Sequence, residues 1–375
     1  MLKWLTLMLA LFVLAVVVSG WRAFGHRAEG ARLARMQRSP QWHDGSFENP
    51  QPILSGTGGL SHFFHRSEHV RPSGPIATVT LRPESLAIAP ATGLRVTWLG
   101  HSTTLIEIDG ARVLTDPMWS ERASPVSWLG PTRWYPPLIA LAALPHIDVV
   151  VISHDHYDHL DYQTITLMKD WETKFVVPLG IGAHLEYWGV PASHIVELDW
   201  WEDTLVGGLR VTCTPARHVT GRTGIDMRSK LWSGWALSTS RHRVFFSGDT
   251  GMFPAMRDIG QRLGPFDLTM IEVGQYNRAW PDWHIGPEQA VLANHVLRGR
   301  VLLPIHWALF ALASHGWTEP GERVLHGKPA QMNVALPRPG ESFEPNSESY
   351  PRAQWWPNLQ WETAAEHPIL SSQCD

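Results

Sequence analysis

The stretch DVVVISHDHYDHLD, residues 148–161, joins an apolar run directly to a dense group of titratable side chains. Residues 148–152 have the continuous apolar character of a buried strand. The nine residues that follow contain three histidines and three aspartates. Because a short loop at the end of a buried strand can direct several side chains at one point, this spacing predicts a metal site.

The candidate ligands in this stretch are His154, His156, Asp158 and His159. Imidazole and carboxylate groups together suit zinc, with iron or manganese as alternatives, and a catalytic site keeps one position open for water. A solvated polar loop is the ordinary interpretation of an isolated histidine. Four candidate ligands within six positions of one strand end favour the metal site instead.

Strand patterns dominate the sequence around this loop, with helical patterns between them in the second half, which predicts an α/β protein. The predicted strands are residues 94–99, 102–108, 111–115, 147–152, 174–178, 209–214, 234–238, 244–247, 268–273 and 301–305. The predicted helices are residues 164–170, 182–188 and 287–297.

Composition excludes several classes of function. With 375 residues, of which 44% are hydrophobic, the chain is long enough for a sizeable core. The formal charge of -4, without a basic stripe beyond the N-terminus, argues against nucleic acid as a partner. Cys213 and Cys374 have neither zinc-ribbon nor disulfide-framework spacing, so a thiolate metal site is not expected.

The N-terminus contains an apolar run, residues 4–18, that Thr6 alone interrupts. A transmembrane span needs roughly 17 to 25 residues, which residues 2–21 supply, and the arginines that follow would keep the main domain in the cytoplasm. We therefore expect a retained membrane anchor. The alternative is a signal peptide that is cleaved near residues 18–20, so that the protein is exported.

Three further motifs each follow a predicted strand: TPARH ends at His218, FSGDTG contains Asp249, and LPIHW contains His306. Together with the histidine-rich stretch, in this order, they resemble the metallo-β-lactamase superfamily over residues 94 to 320. The resemblance implies an αββα sandwich of two mixed β-sheets flanked by helices, with two Zn²⁺ ions, or Mn²⁺ or Fe²⁺ in their place. It assigns one metal to His154, His156 and His218, the second to Asp158, His159 and His306, and both to Asp249.

Other motifs resemble the branch of N-acylphosphatidylethanolamine-hydrolysing phospholipases D. These are residues 93–102 (GLRVTWLGHS), 114–117 (LTDP), 122–125 (RASP), 196–202 (VELDWWE), 264–268 (GPFDL) and His284 with PEQA at 287–290. The resemblance implies a zinc-dependent phosphodiesterase in which a hydroxide between the metals attacks phosphorus. Its catalytic residues would be Asp158, Asp249 and His284, and His284 would protonate the leaving group or bind phosphate.

Alternatives remain for the function and for single residues. A similar WLGHST opening occurs in ascorbate phosphate lactonases, so hydrolysis of a small soluble lactone or phosphoester is the competing function. The third candidate function is that of a metal-dependent binding protein without enzymatic activity. The alternative role of His284 is to cap the helix that follows it. Asp116 would either orient a ligand imidazole or cap the turn at Pro117. We interpret His62, His65 and His69 as solvated or packing residues.

The sequence divides into four predicted regions. Residues 1–22 form the anchor or signal segment, 23–92 an irregular lead-in that wraps the core, 93–340 the catalytic domain, and 341–375 a tail rich in Trp and Pro. The partner expected for the enzyme is a phospholipid at a membrane, because the Trp/Pro-rich insertion at residues 118–137 has side chains that favour a membrane interface. Core packing is the alternative for that insertion. The sequence assigns no oligomeric state.

Overall fold

The computed structural model describes residues 1–54 and 66–374, so His62 and His65 lie outside the described residues. In chain order the strands are β1 (Trp42–His43), β2 (Ser46–Phe47), β3 (Leu94–Gly100), β4 (Thr103–Ile108), β5 (Ala111–Thr115), β6 (Val149–Val151), β7 (Lys174–Pro178), β8 (Ile195–Leu198), β9 (Asp203–Val206), β10 (Leu209–Thr214), β11 (Gly234–Ser238), β12 (Arg243–Phe246), β13 (Phe266–Glu272), β14 (Gly299–Ile305), β15 (Asn333–Val334) and β16 (Ser342–Phe343). The α-helices are α1 (Leu2–Gly20), α2 (Gly30–Met36), α3 (Tyr162–Met168), α4 (Gly182–Tyr187), α5 (Ala255–Leu263), α6 (Pro287–Val296) and α7 (Glu319–Gly327).

Two seven-stranded mixed sheets form the body of the protein. The first sheet has the order β16-β3-β4-β5-β6-β7-β8 and the second the order β15-β14-β13-β12-β11-β10-β9. In each sheet an antiparallel run is followed along the chain by parallel strands, from β5 onward in the first sheet and from β12 onward in the second. Because parallel strands end at the same edge of a sheet, the loops that follow them gather there.

The main core lies between the two sheets, and side chains that alternate along the strands build it. Val149 and Val151 of β6 join this core together with residues of the second sheet such as Trp235. Val150 points to the opposite face, where it packs in a second core with Ile165 of α3 and other apolar residues. Helices therefore cover the outer face of the first sheet, while α5 and α6 pack against the second, and the predicted αββα sandwich is confirmed.

Agreement between predicted and observed bounds does not follow the strength of the apolar pattern, since the apolar run predicted as a strand at 147–152 contains the shorter β6. Strands β5, β7, β10 and β11 have the predicted bounds. Helices α5 and α7 were not predicted, because charged residues interrupt their apolar pattern, and neither was β9, which has alternating exposed residues at the edge of its sheet. Strand β16, which pairs with β3 although it comes from the segment 341–375, was not predicted either.

Helix α1 projects from this body with its side chains exposed. Its window Lys3–Gly20 has a mean hydropathy of 2.1 and is 6% buried, so it is long and apolar enough to span a membrane or to serve as a signal sequence. The Trp/Pro-rich insertion has a buried part and an exposed part. Tyr135 and Leu138 are buried in the core, whereas Trp128 and Leu129 are exposed, and the Trp128 ring lies 5.9 Å from that of Phe12 in α1.

Candidate metal centre

The ligand loop, residues 153–161, connects the end of β6 to the start of α3. Within it the main-chain N–H groups of His159 and Leu160 both donate to the carbonyl of His156, at 3.1 and 2.8 Å, which folds the loop into a tight turn. Asp161 ends the loop as the N-cap of α3, where its side chain accepts from the N–H of Gln163. The turn directs the loop histidines to one side, toward the edge where the strands of the second sheet also end.

The first cluster combines two residues of the ligand loop with two from the second sheet. His156 Nδ1 lies 2.9 Å from His154 Nε2 and 3.3 Å from His218 Nε2. The Oδ2 atom of Asp249 lies 3.8 Å from His154 Nε2 and 3.9 Å from His218 Nε2. These four residues therefore surround one point, as the sequence predicts.

The second cluster lies beside the first and shares an oxygen with it. His159 Nε2 is 3.1 Å from Asp158 Oδ2 and 3.2 Å from His306 Nε2. The same Oδ2 atom of Asp249 is 3.1 Å from His159 Nε2 and 3.2 Å from His306 Nε2. All seven predicted ligands thus come together, and Asp249 stands between the two clusters.

The spacing of these atoms fits bound cations. Ligands 2.0 to 2.1 Å from a tetrahedral zinc ion lie about 3.3 Å from each other, and the distances above, from 2.9 to 3.9 Å, fall around that value. The second carboxylate oxygen of Asp249, Oδ1, is buried and has no hydrogen-bond partner among the residues that the structure describes. A buried, unpaired carboxylate oxygen is costly unless it binds a cation.

In several of the predicted histidine ligands, the ring nitrogen that takes no part in the cluster makes a hydrogen bond outside it. His159 Nδ1 lies 2.7 Å from Asp116 Oδ2, and His154 Nδ1 lies 2.9 Å from the hydroxyl of Ser153. His218 Nδ1 donates to the carbonyl of Trp283 at 2.8 Å. Such contacts fix the orientation of a ligand imidazole, so the contact of Asp116 with His159 fits the first of its two predicted roles.

Charges in the clusters are arranged for cation binding. Burial and the neighbouring imidazoles hold the pKa of His154 well below its usual value, which keeps this ring neutral. Burial alone would raise the pKa of Asp249, but His159 and His306 hold it well below its usual value. Burial alone would lower the pKa of His306, but Asp249 and other carboxylates raise it to about 10. The carboxylate of Asp249 is thus ionised and attracts positive charge, which a divalent cation would supply.

His284 lies over the clusters rather than at a helix cap. Its ring stacks on that of His306 with centroids 5.2 Å apart, and its Nδ1 is 2.8 Å from Glu272 Oε2 and 3.7 Å from Asp249 Oδ2. The cap residue of α6 is Gly286, and no side chain caps the helix there. The side chain of His284 is 14% exposed, so part of its ring contacts solvent.

Two residues around the clusters were not predicted to lie so near. Glu272, the last residue of β13, is fully buried and contacts both His284 and His306. His101 places its Nε2 2.7 Å from Asp158 Oδ2, close enough for it to belong to the same group of potential ligands. Glu272 terminates an apolar strand, and only the sheet topology shows that this end reaches the site.

The two sheets are joined by main-chain hydrogen bonds next to the second cluster. The N–H of His306 donates to the carbonyl of His101 at 2.9 Å, and the N–H of His101 donates to the carbonyl of Trp307 at 3.3 Å. Both His101 and His306 have positive φ, 52° and 67°. Such a backbone is unfavourable for a residue other than glycine and persists only where surrounding contacts fix it.

A buried ion pair supports the loops that present His218 and His284. Arg217 and Asp282 are fully buried, with Arg217 Nη2 3.0 Å from Asp282 Oδ2. Ser372 closes the pair, because its N–H and hydroxyl donate to the Asp282 carboxylate at 2.6 and 2.7 Å while its carbonyl accepts from Arg217 at 2.6 Å. The segment 369–374 is thereby attached directly behind two residues of the site.

Comparison with known proteins places these features in a family. Residues 111–307, which include all seven predicted ligands, match the family described as the β-lactamase superfamily domain. An uncharacterized protein of Mycobacterium tuberculosis is 44% identical over 339 residues, which cover 86% of this chain and 89% of that protein.

A relative with an assigned activity also matches this chain, and so does a solved structure of another protein. The N-acyl-phosphatidylethanolamine-hydrolyzing phospholipase D 1 of Caenorhabditis elegans is 34% identical over 303 residues, covering 74% of this chain and 85% of that protein. A metallo hydrolase from the archaeon Ignicoccus hospitalis is similar in structure, with a TM-score of 0.51, 24% identity, and coverage of 67% of this chain and 98% of its own. This structural likeness agrees with the sandwich fold.

Proposed function

The chain belongs to the metallo-β-lactamase superfamily of metal-dependent hydrolases, and from that membership we propose that it is a binuclear zinc phosphodiesterase of phospholipase D type. Its substrates would be phospholipids like N-acylphosphatidylethanolamine, which it would cleave to phosphatidate and an N-acylethanolamine. The observation that supports a binuclear site is the position of Asp249 Oδ2, within 3.9 Å of ligand atoms from both clusters. The substrate class is supported by the 34% identity to a phospholipase D with that activity in its name.

The residues of the site would have separate roles in this reaction. Two divalent cations, when bound, supply positive charge that polarises a phosphoryl oxygen and makes water a nucleophile near neutral pH. Asp158 and Asp249 would hold the cations and offer carboxylate oxygens to the proton of the attacking water. Glu272 engages Nδ1 of His284, so Nε2 of His284 is the nitrogen left for the substrate. The doubly protonated form of His284 would pass its Nε2 proton to the leaving alkoxide, which gives the neutral alcohol, and the proton released by the attacking water would restore that form.

Helix α1 supports a substrate that resides in a membrane. Its apolar surface is exposed, and the exposed Trp128 packs against Phe12 of α1, an arrangement that would be unfavourable in water. We propose that α1 anchors the catalytic domain to the bilayer from the cytoplasmic side, where it would take its substrate from the membrane. Export after cleavage of α1 is the competing outcome, and sequencing the N-terminus of the mature protein distinguishes the two.

The test uses the full chain, purified in detergent, with N-acylphosphatidylethanolamine in mixed micelles and ¹⁸O-labelled water. We expect phosphatidate that contains one ¹⁸O atom, because water attacks phosphorus, and an N-acylethanolamine without label. Removing metal should abolish the reaction, and adding back Zn²⁺, Mn²⁺ or Fe²⁺ separately identifies the metal that restores it. Label in the alcohol, or full activity after thorough metal removal, would refute the proposed mechanism.

A matched panel of soluble substrates tests the competing function. The same protein is given a lactone and a water-soluble phosphodiester under identical conditions. Turnover of the phospholipid that exceeds turnover of both soluble compounds supports the lipid assignment. Efficient lactone hydrolysis without phospholipid cleavage would assign the chain to the alternative function.

A further inference from the structure

Residues 21–26, here called the junction segment, connect α1 to the rest of the protein. They contact side chains of the catalytic domain, two of which also contact the ligand loop. The carbonyl of Arg22 accepts from Trp188 Nε1 at 2.7 Å, and the carbonyl of Ala23 accepts from Arg222 Nε at 2.7 Å. The N–H of His26 donates to His184 Nδ1 at 2.8 Å. The junction segment is therefore attached at three successive places to side chains of the catalytic domain.

Arg222 connects the junction segment to the ligand loop. Its buried guanidinium bonds Ala23 through Nε, and through Nη1 it donates to the carbonyls of Asp155 and Leu160, at 2.5 and 2.9 Å. Its Cζ atom also lies 4.1 Å from the centre of the Tyr157 ring. One side chain thus holds both ends of the segment that contains His156, Asp158 and His159.

His184 makes a second, independent connection. Because its Nδ1 accepts from the N–H of His26, its Nε2 has the proton and faces Asp155 Oδ2 at 3.3 Å. Burial lowers the pKa of His184 to about 4, in agreement with a neutral ring. The other oxygen of Asp155 accepts from the N–H of Gly221 at 2.8 Å. Asp155 lies between His154 and His156, so this connection ends at two predicted ligands of the first cluster.

We propose that the junction segment is a positioning element of the active site, which acts through Arg222 and His184 to set the geometry of the ligand loop and so its affinity for metal. This inference rests on the proposed function, because it requires metal at His154 and His156. It holds for a retained anchor and for a cleaved signal peptide alike. Cleavage near residues 18–20 would leave residues 21–26 in place.

Gly25 allows a test that leaves every predicted ligand untouched. Gly25 has φ +78°, and a Cβ atom there would lie 1.9 Å from His184 Nδ1, so Gly25→Ala should push the junction segment away from the domain. Gly30 has a comparable φ of +56°, but no atom in the described part of the chain lies within 4 Å of its Cβ position. Gly30→Ala is therefore a matched control, with similar backbone strain and no collision.

The experiment measures Zn²⁺ affinity of the full-length variants in detergent by competition with a chromophoric chelator. Losing a residue that hydrogen-bonds a metal ligand typically weakens metal binding by roughly 10- to 100-fold, and because Gly25→Ala acts through Asp155, one residue away from the ligands, we expect a loss of about 10-fold. Gly30→Ala should bind Zn²⁺ like the unmodified chain. With a soluble phosphodiester, Gly25→Ala should lower kcat more than it changes KM, because the ligand loop and not the substrate-binding surface has moved.

Arg222→Lys provides the second measurement, and it decides the outcome if Gly25→Ala does not fold. Lysine keeps the charge but cannot reach three carbonyls at once, so we expect weaker Zn²⁺ binding than in the unmodified chain. Affinities equal to that of the unmodified chain, in Arg222→Lys or in folded Gly25→Ala, would overturn the inference. An unmodified chain that binds no Zn²⁺ would instead refute the proposed function, so the two failures are distinguishable.

Discussion

The ligand loop and the loops of the second sheet reach the same point by different routes. The ligand loop supplies His154, His156, Asp158 and His159 from six consecutive residues after one strand. The second sheet supplies His218, Asp249 and His306 from three loops, after β10, β12 and β14. Each cluster takes residues from both sheets, so neither sheet alone forms a complete site. The metal centre is a property of the packed sandwich.

The two sets of ligands are also supported from different parts of the chain. The ligand loop is held by Arg222, which in turn bonds residues 21–26, a segment that precedes the catalytic domain. The loops of the second sheet are held by Asp282, Arg217 and Ser372, and Ser372 belongs to the segment after that domain. Regions at the edges of the predicted domain thus contribute to the order of the site. The boundaries at 22, 92 and 340 stay predictions.

The largest expected effect comes from the residue that belongs to both clusters. Asp249→Asn should lower the metal content from two ions to one or none, and activity by at least about 10³-fold, because roughly 4 kcal/mol of charge stabilisation is lost. Asp158→Asn should remove only the metal of the second cluster. Metal quantification after gel filtration measures both variants.

Equal metal loss in the two variants would break the comparison, since it would mean that Asp249 is no more central than a residue of the ligand loop. Thermal unfolding of both metal-free variants is the control. The two variants should unfold at similar temperatures, which separates lost metal binding from lost folding.

An intermediate effect is expected when the support of the second-sheet loops is broken. Arg217→Met leaves the carboxylate of Asp282 buried without its charged partner, which should lower the free energy of unfolding by about 3 kcal/mol. The control is Arg210→Met, which removes an exposed ion pair with Asp203 and should cost at most about 1 kcal/mol. Urea unfolding of the metal-free proteins measures the difference. Equal values would show that the buried pair does not stabilise these loops.

The smallest effect is expected at Ser372, where one hydroxyl is removed from the same support. Ser372→Ala loses the hydrogen bond of 2.7 Å to Asp282, which should cost about 1.5 kcal/mol, at the low end for a charged acceptor because the N–H of Ser372 still donates to the same carboxylate. Ser349→Ala, at an exposed serine of the same C-terminal segment, is the control. If both variants unfold at the same urea concentration, the segment 369–374 does not stabilise the second-sheet loops.

What could be predicted from the sequence depended on how local the signal was. The ligand loop is visible in one stretch because its apolar strand and its polar residues are adjacent. His218, Asp249 and His306 became interpretable only through their order after strands, which a family resemblance supplied. Glu272 had no signal, since an acid at the end of an apolar strand has the same local pattern wherever that strand ends in the sheet.

Segments outside the catalytic core were the least predictable. The junction segment has no periodicity, and its role depends on Gly25, whose left-handed backbone and close approach to His184 follow from the tertiary structure. The pair of Arg217 and Asp282 is separated by more than sixty residues, and no local pattern links them. Long-range contacts of single polar residues, rather than elements of secondary structure, were what sequence reasoning missed.

The main-chain bonds between His101, His306 and Trp307 have a mechanical consequence. Two stacked sheets can slide along their interface, and such sliding would change every distance that spans it. Here hydrogen bonds join the sheets at more than one place beside the predicted ligands, because the N–H of Ser233 also donates to the carbonyl of Ser153 at 2.9 Å. Sliding of one sheet along the other is therefore opposed where the ligands meet, and the distance of 3.1 Å between His159 Nε2 of the first sheet and Asp249 Oδ2 of the second is kept.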